Sequence, residues 1–110
     1  MELSHKANGS YTEVLASGRL NMVSAPNLRT YVDEVVATGA SRIVVNLAQT
    51  TFMDSSGLGA LIGCLKAARQ AGGDLRIAAV QPQVKMVLEL TSMDRVLTSY
   101  ASAQEAFGNE

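Results

Sequence analysis

Hydrophobic and polar positions change period several times along the chain. Leu3–Ala7 and Tyr11–Gly18 are short segments on either side of Asn8-Gly9. Asn-Gly suits the positive φ angles of a tight hairpin, so the two segments are predicted to form an antiparallel pair. Ser24 is placed to cap a helix with Pro26 in its first turn, and Leu28, Tyr31, Val32, Val35 and Val36 then recur at spacings of three and four. Gly39 ends that helix. Arg42–Leu47 is a β-branched, apolar run of the kind found in strands buried on both faces. Thr50–Asp54 leads out of it, and Leu58, Leu61, Ile62 and Leu65 form a second helical stripe that ends at Gly72-Gly73. Leu75–Val80 is the next predicted strand. Pro82 opens a helix carrying Val84, Val87, Leu88 and Thr91, and Val96–Leu97 reads as a brief strand. Ser102 and Glu105 have the spacing of a capping box before a short last helix that includes Phe107.

The predicted order is ββαβαβαβα. Alternating strands and helices imply an α/β fold: a mostly parallel sheet, an antiparallel hairpin at one edge, and about four helices packed on it. No linker or repeat interrupts residues 1–110, which are expected to form one domain.

Composition narrows the function classes. The residues are 47% hydrophobic and 17% charged, enough apolar material for a core and too little charge for disorder. Nine Lys and Arg against ten Asp and Glu leave a formal charge of −1, which excludes a strongly basic nucleic-acid binder. The longest uncharged stretches, Ile43–Met53 and Ser55–Leu65, fall well short of the roughly 20 residues a membrane helix needs. Met1–Lys6 lacks a signal-peptide pattern, so a cytoplasmic location is expected. One cysteine, Cys64, cannot close an internal disulfide, and with one histidine the chain is short of soft metal ligands. No metal and no cofactor are expected.

The informative stretch is Phe52-Met53-Asp54-Ser55-Ser56-Gly57-Leu58-Gly59-Ala60-Leu61, which joins a buried strand to a helix. In open α/β sheets, ligands bind at this carboxyl rim. Ser55 stands where an N-cap is expected, its oxygen in reach of the N–H of Gly57 or Leu58. A nucleophilic serine does not fit. The G-x-S-x-G elbow would need glycine where Met53 stands, and the only histidine, His5, falls on the first predicted strand. Dinucleotide binding fits no better. Ile62 occupies the third glycine position of G-x-G-x-x-G, and Asp54 would face a pyrophosphate. No catalytic residues are assigned.

Gly59 and Gly63 lie on one helix face with Ala60 and Cys64, away from the core stripe. A face of small side chains serves either a close-approaching partner or close packing within the chain. Cys64 itself is expected to be a small, partly buried apolar residue, and the methionines to be gap-fillers. Lys66, Arg69 and Arg76 are too sparse for a phosphate-tracking patch.

Asp54-Ser55-Ser56-Gly57-Leu58-Gly59, preceded by Phe52-Met53, resembles the signature of bacterial anti-sigma factor antagonists of the STAS domain family. The likeness extends over nearly the whole chain. The predicted element order is similar to the STAS fold, Gly18-Arg19-Leu20 resembles the family's Gly-x-Leu step, and Val45-Asn46-Leu47 resembles the strand before the signature.

The resemblance implies a partner switch. Ser55 would be the phosphoacceptor for a partner that is both anti-sigma factor and serine kinase of the GHKL type, and a PP2C-type phosphatase would reset it. The unphosphorylated form would bind the kinase and release a sigma factor. Asn21, Ser24, Asp54, Ser56, Gly57 and Leu58 would form the docking surface; Gly59 and Gly63, read from their spacing rather than from the resemblance, are expected to join it as a small-residue face. Where the family often has aspartate after Gly-x-Leu, this chain has Asn21, which keeps the size and hydrogen bonding but not the charge. A monomer that is a kinase substrate and not an enzyme is expected. The alternatives are a STAS subunit or scaffold of a lipid-transport or signalling assembly that makes little use of its serine, and a small hydrolase using Ser55.

Overall fold

The first two strands form the predicted hairpin, β1 (Glu2–Asn8) and β2 (Tyr11–Leu20), paired antiparallel from Glu2↔Ser17 to Asn8↔Tyr11. The turn residues are Gly9 and Ser10, one position later than the Asn8-Gly9 reading. A positive φ (+67°) at the first central residue alone is what a type II′ loop requires, and Asn8 instead donates from its amide to the Tyr11 hydroxyl (2.9 Å). The structure, a computed structural model, describes residues 1–107.

From β2 onward the elements are α1 (Ala25–Ala37), β3 (Arg42–Met53), α2 (Ser55–Gln70), β4 (Asp74–Ala78), α3 (Pro82–Leu90), a 3₁₀ turn (Met93–Arg95), β5 (Ser99–Tyr100) and α4 (Ala103–Phe107). The sheet order is β1-β2-β3-β4-β5, and every pair after the hairpin is parallel. This is the α/β architecture expected.

β3 is longer than the predicted Arg42–Leu47. Ile43, Val45 and Leu47 point into the large core at a spacing of two, but the next buried positions are Thr50 and Met53, at spacings of three. The register against β2 explains the change: Leu15 pairs with Asn46 but Ser17 with Gln49, and Gly18 pairs with Thr50 but Arg19 with Phe52. Each step gives β3 one extra residue, a bulge that breaks period-two alternation. The Thr50 hydroxyl donates to the Ala16 carbonyl within this irregular stretch (2.9 Å).

Two further boundaries differ from expectation. β4 stops at Ala78 because Ala79 turns to φ +59°, outside strand geometry. Val96–Leu97 is not a strand. Leu97 is fully buried as a core plug in the connection after the 3₁₀ turn, and the last strand forms at Ser99–Tyr100.

The main core lies between the sheet and α1, α2 and α3. Leu28, Val32 and Val35 enter it from α1, Leu58, Leu61, Cys64, Leu65 and Ala68 from α2, and Val84 and Leu88 from α3. Ile62, expected in the core stripe, sits half-buried at its margin, and Cys64 takes a full place in it. The opposite face carries a smaller cluster under α4, with Val44, Ala78, Ala103 and Ala106 around a stacked Tyr11–Phe107 pair. The Ser102 hydroxyl accepts the Glu105 N–H at the start of α4, as the capping spacing predicts.

Candidate functional site

Leu20 and Met53 are register partners at the carboxyl ends of β2 and β3, so the two following junctions leave the sheet side by side. Asp54 ties them together. Its N–H donates to the Leu20 carbonyl (3.2 Å), its Oδ1 accepts the Gly57 N–H (2.9 Å), and its Oδ2 accepts the Met22 N–H (3.2 Å). Asp54 is therefore the N-cap of α2, not Ser55. Its extended backbone (φ −107°, ψ −173°) places the carboxylate over the first helical turn. Ser55 is the first residue of the helix. It is exposed, and among the described residues its hydroxyl makes no hydrogen bond.

Around Ser55 the other singled-out residues divide by burial. Ser56 is half-buried beside it. Gly57 is buried against β2, where a Cβ would drive into the Leu20 carbonyl and side chain, so this position is a close backbone approach. Leu58 is buried in the main core. Gly59 faces open space. Gly63 lies one turn further along α2, half-buried, with the Arg29 guanidinium of α1 over it.

The other junction is built by Asn21. Its Oδ1 accepts the N–H groups of Val23 (3.0 Å) and Ser24 (3.2 Å), closing the turn before α1. Ser24 does not cap α1 through its side chain. Its hydroxyl turns back, donating to the Arg19 carbonyl (2.6 Å) and accepting the Asn21 N–H (3.0 Å), and the residue is buried at 5% exposure.

Sequence reasoning missed Met22 and Val23. They are 71% and 79% exposed and stand between Asn21 and Ser24. The available signal was an apolar pair outside the stripes of both neighbouring elements. Arg19 stacks its guanidinium 4.3 Å over the Phe52 ring nearby. The rim thus carries two exposed apolar side chains, one carboxylate and an exposed serine. A cleft of about 540 Å³ lies elsewhere, lined by Lys85, Leu88, Glu89, Asp94, Ser99 and Tyr100 among others, and includes none of these rim residues.

Two side chains considered for chemistry are engaged elsewhere. His5 Nδ1 lies 2.5 Å from the Tyr31 hydroxyl on the β1–α1 side of the molecule. Cys64 is fully buried, not partly buried. Desolvation pushes its thiol up to about 12, with a smaller opposing pull from Arg29 and a smaller push from Asp33, so it is neutral and unreactive at physiological pH. Among the described residues no group of three or more His, Cys, Asp or Glu side chains is placed to hold a metal, and no helix is long and apolar enough to cross a membrane.

A family model described as the STAS domain matches residues 5–106 of the chain. The chain belongs to the STAS domain family. This STAS domain is 32% identical over 88 residues to the anti-sigma F factor antagonist of Paenibacillus polymyxa, covering 79% of this chain and 75% of that one. It is 32% identical over 83 residues to the anti-sigma-B factor antagonist of Staphylococcus aureus (strain NCTC 8325 / PS 47), covering 76% and 77%. Among solved structures, an anti-sigma factor antagonist from Mycobacterium paratuberculosis superposes with a TM-score of 0.86 at 24% identity, covering 98% of this chain and 92% of that one. The Bacillus cell fate determinant SpoIIAA in its phosphorylated form superposes with a TM-score of 0.72 at 19% identity, covering 98% of each. At these identities the structures establish that the STAS domain has their fold.

Proposed function

We propose that this STAS domain is a phosphorylation-regulated anti-sigma factor antagonist, a binding protein and not an enzyme, acting as one domain in the cytoplasm. Its partner is an anti-sigma factor that is also an ATP-dependent serine kinase, and its phosphoacceptor is Ser55. One observation carries the reading. Asp54 caps α2, leaving Ser55 at the helix start with an exposed hydroxyl that has no hydrogen bond among the described residues.

The chemistry follows from that placement. The Ser55 oxygen attacks the γ-phosphorus of ATP, the bond to the β-phosphate oxygen breaks, ADP leaves, and the hydroxyl proton passes to a base on the kinase. The product carries about −1.5 to −2 charges. It sits at a helix N-terminus, where the first N–H groups lack intrahelical partners and the dipole is positive, so the fold accommodates it. Docking is another matter. Met22 and Val23 supply apolar anchors, and the partner covering them also covers residue 55. A phosphate there must be desolvated beside the Asp54 carboxylate, so modification releases the partner without unfolding the domain. A phosphatase of the PP2C type then restores the binding form.

The test uses ATP and the kinase activity of an extract from the source organism. The chain is expected to gain one phosphate at Ser55, and Ser55→Ala to gain none while still binding the partner. Ser55→Asp is expected to fold normally and bind weakly. Phosphate mapped to Ser56 or Thr51, or undiminished binding by stoichiometrically phosphorylated protein, overturns the reading. Constant stoichiometric co-purification with a larger assembly, without phosphorylation, would favour a scaffold role instead.

A further inference from the structure

β4 pairs only with the first part of β3, from Arg42 to Asn46. Beyond that point, among the described residues, β3 has β2 on one side and no strand on the other. Backbone groups in such a stretch need partners, and two glutamines at the start of α3 provide them. The Gln81 amide donates to the Ala48 carbonyl (2.6 Å). Gln83 does more: its Oε1 accepts the Met53 N–H (2.8 Å), and its Nε2 donates to the Met53 carbonyl (3.0 Å). A primary amide presents the same donor and acceptor as a peptide group, so Gln83 serves as one rung of a missing strand.

The residue it grips is the last of β3, two before Ser55. The junction is thus held from both sides. On the β2 side Asp54 is bonded to Leu20 and Met22, and on the α3 side Gln83 is bonded to Met53. Gln83 is anchored in turn, because its neighbour Val84 is fully buried in the main core.

We propose that Gln83 is a positioning residue for Ser55, fixing the end of β3 so that the hydroxyl is presented in one place for phosphoryl transfer. The proposal rests on Ser55 being the phosphoacceptor. Transfer requires the attacking oxygen within ~3–3.5 Å of its target and in line with it, and small misplacements lower the rate steeply. Among the described residues Gln83 has no hydrogen bond to Ser55; its bonds are to the Met53 backbone, and its influence on Ser55 is exerted through them.

The experiment has two independent readouts. Gln83→Met keeps length and helix propensity and removes both bonds. Amide hydrogen exchange at Met53 is expected to accelerate by roughly tenfold, the loss of about one net hydrogen bond, while Val45 and other core-strand amides stay unchanged. Equal amounts of this variant and ¹⁵N-labelled wild type are then phosphorylated in one pot with ATP and the source-organism extract. The variant is expected to be used roughly tenfold less efficiently, as misplacement of the acceptor predicts. Gln83→Glu supplies a signature that a merely structural role lacks. A neutral carboxyl can both accept and donate, whereas a carboxylate can only accept, so the Met53 N–H keeps its acceptor throughout while the bond to the Met53 carbonyl returns as pH falls through that carboxyl's pKa, and the variant's competition against wild type for phosphate should improve with it. Wild-type competition by Gln83→Met with an exposed Met53 amide overturns the positioning role and leaves Ser55 as acceptor. An unchanged Met53 amide overturns the clamp itself. Phosphate mapping to another residue in the wild type overturns the Ser55 reading and the positioning role with it, while the exchange data still report on the clamp.

Discussion

The two junctions at this rim each place a serine at the start of a helix, and they use it in opposite ways. At the β2–α1 junction Ser24 is buried, its hydroxyl consumed by the Arg19 carbonyl and the Asn21 N–H. At the β3–α2 junction Ser55 is exposed and, among the described residues, its hydroxyl is bonded to nothing. The difference is made by a neighbour. Asp54 takes over the capping of α2, so the next residue is relieved of structural duty. A serine becomes available for modification at a helix start when another side chain satisfies the N–H groups that it would otherwise serve.

The largest effect is expected where the junctions touch. Gly57→Ala forces a methyl group into the Leu20 carbonyl, a backbone atom that cannot swing away. A loss near the upper end of about 1–3 kcal/mol is expected from such overpacking, read from the urea midpoint. A midpoint within experimental error of wild type would mean that the two junctions are not packed against each other.

The next comparison is between the serines themselves. Ser24→Ala leaves the Asn21 N–H and the Arg19 carbonyl without that partner in a buried place, and about 1–3 kcal/mol of stability should be lost. Ser55→Ala removes no bond and should shift stability by no more than about 0.5 kcal/mol. Equal losses would show that Ser55 has a structural partner after all. Asp54→Ala falls between, at about 0.5–2 kcal/mol for a lost cap. It should also loosen the Met22 loop, measurable as faster amide exchange at Met22.

These contrasts show what the pattern of residues could and could not reveal. The helices were legible because α1 and α3 bury stripes spaced by three and four, and the parallel sheet followed from the alternation of strands and helices. β3 was half legible: two bulges shift its buried positions from a spacing of two to three, and a period-two reading loses the strand at Leu47. The rim was legible as a place but not in its wiring. Asp54 and Ser55 are both good N-cap residues, and which one caps is settled by one residue's difference in where α2 begins. Gln83 gave no local signal at all. Its partner is thirty positions away in sequence, and only the shortness of β4 makes that partner necessary.

Asn21→Asp gives the smallest expected change in stability and the sharpest separation of fold from docking. The Asn21 Oδ1 accepts two backbone N–H groups, and a carboxylate oxygen accepts both equally well. The new charge gains a little from the nearby start of α1 and loses a little to Asp54, whose Oδ2 is bonded to the adjacent Met22. The two terms oppose each other, so the urea midpoint should move by less than about 0.5 kcal/mol equivalent. Docking should respond differently, because a rim charge acts on the encounter of two proteins more than on their packed contacts. The association rate with the partner is expected to change severalfold at low salt and to converge with wild type as ionic strength rises and the Debye length shortens. A stopped-flow series over salt concentration measures both. Equal rates at every ionic strength would remove Asn21 from the docking surface and leave it the turn-closing role alone.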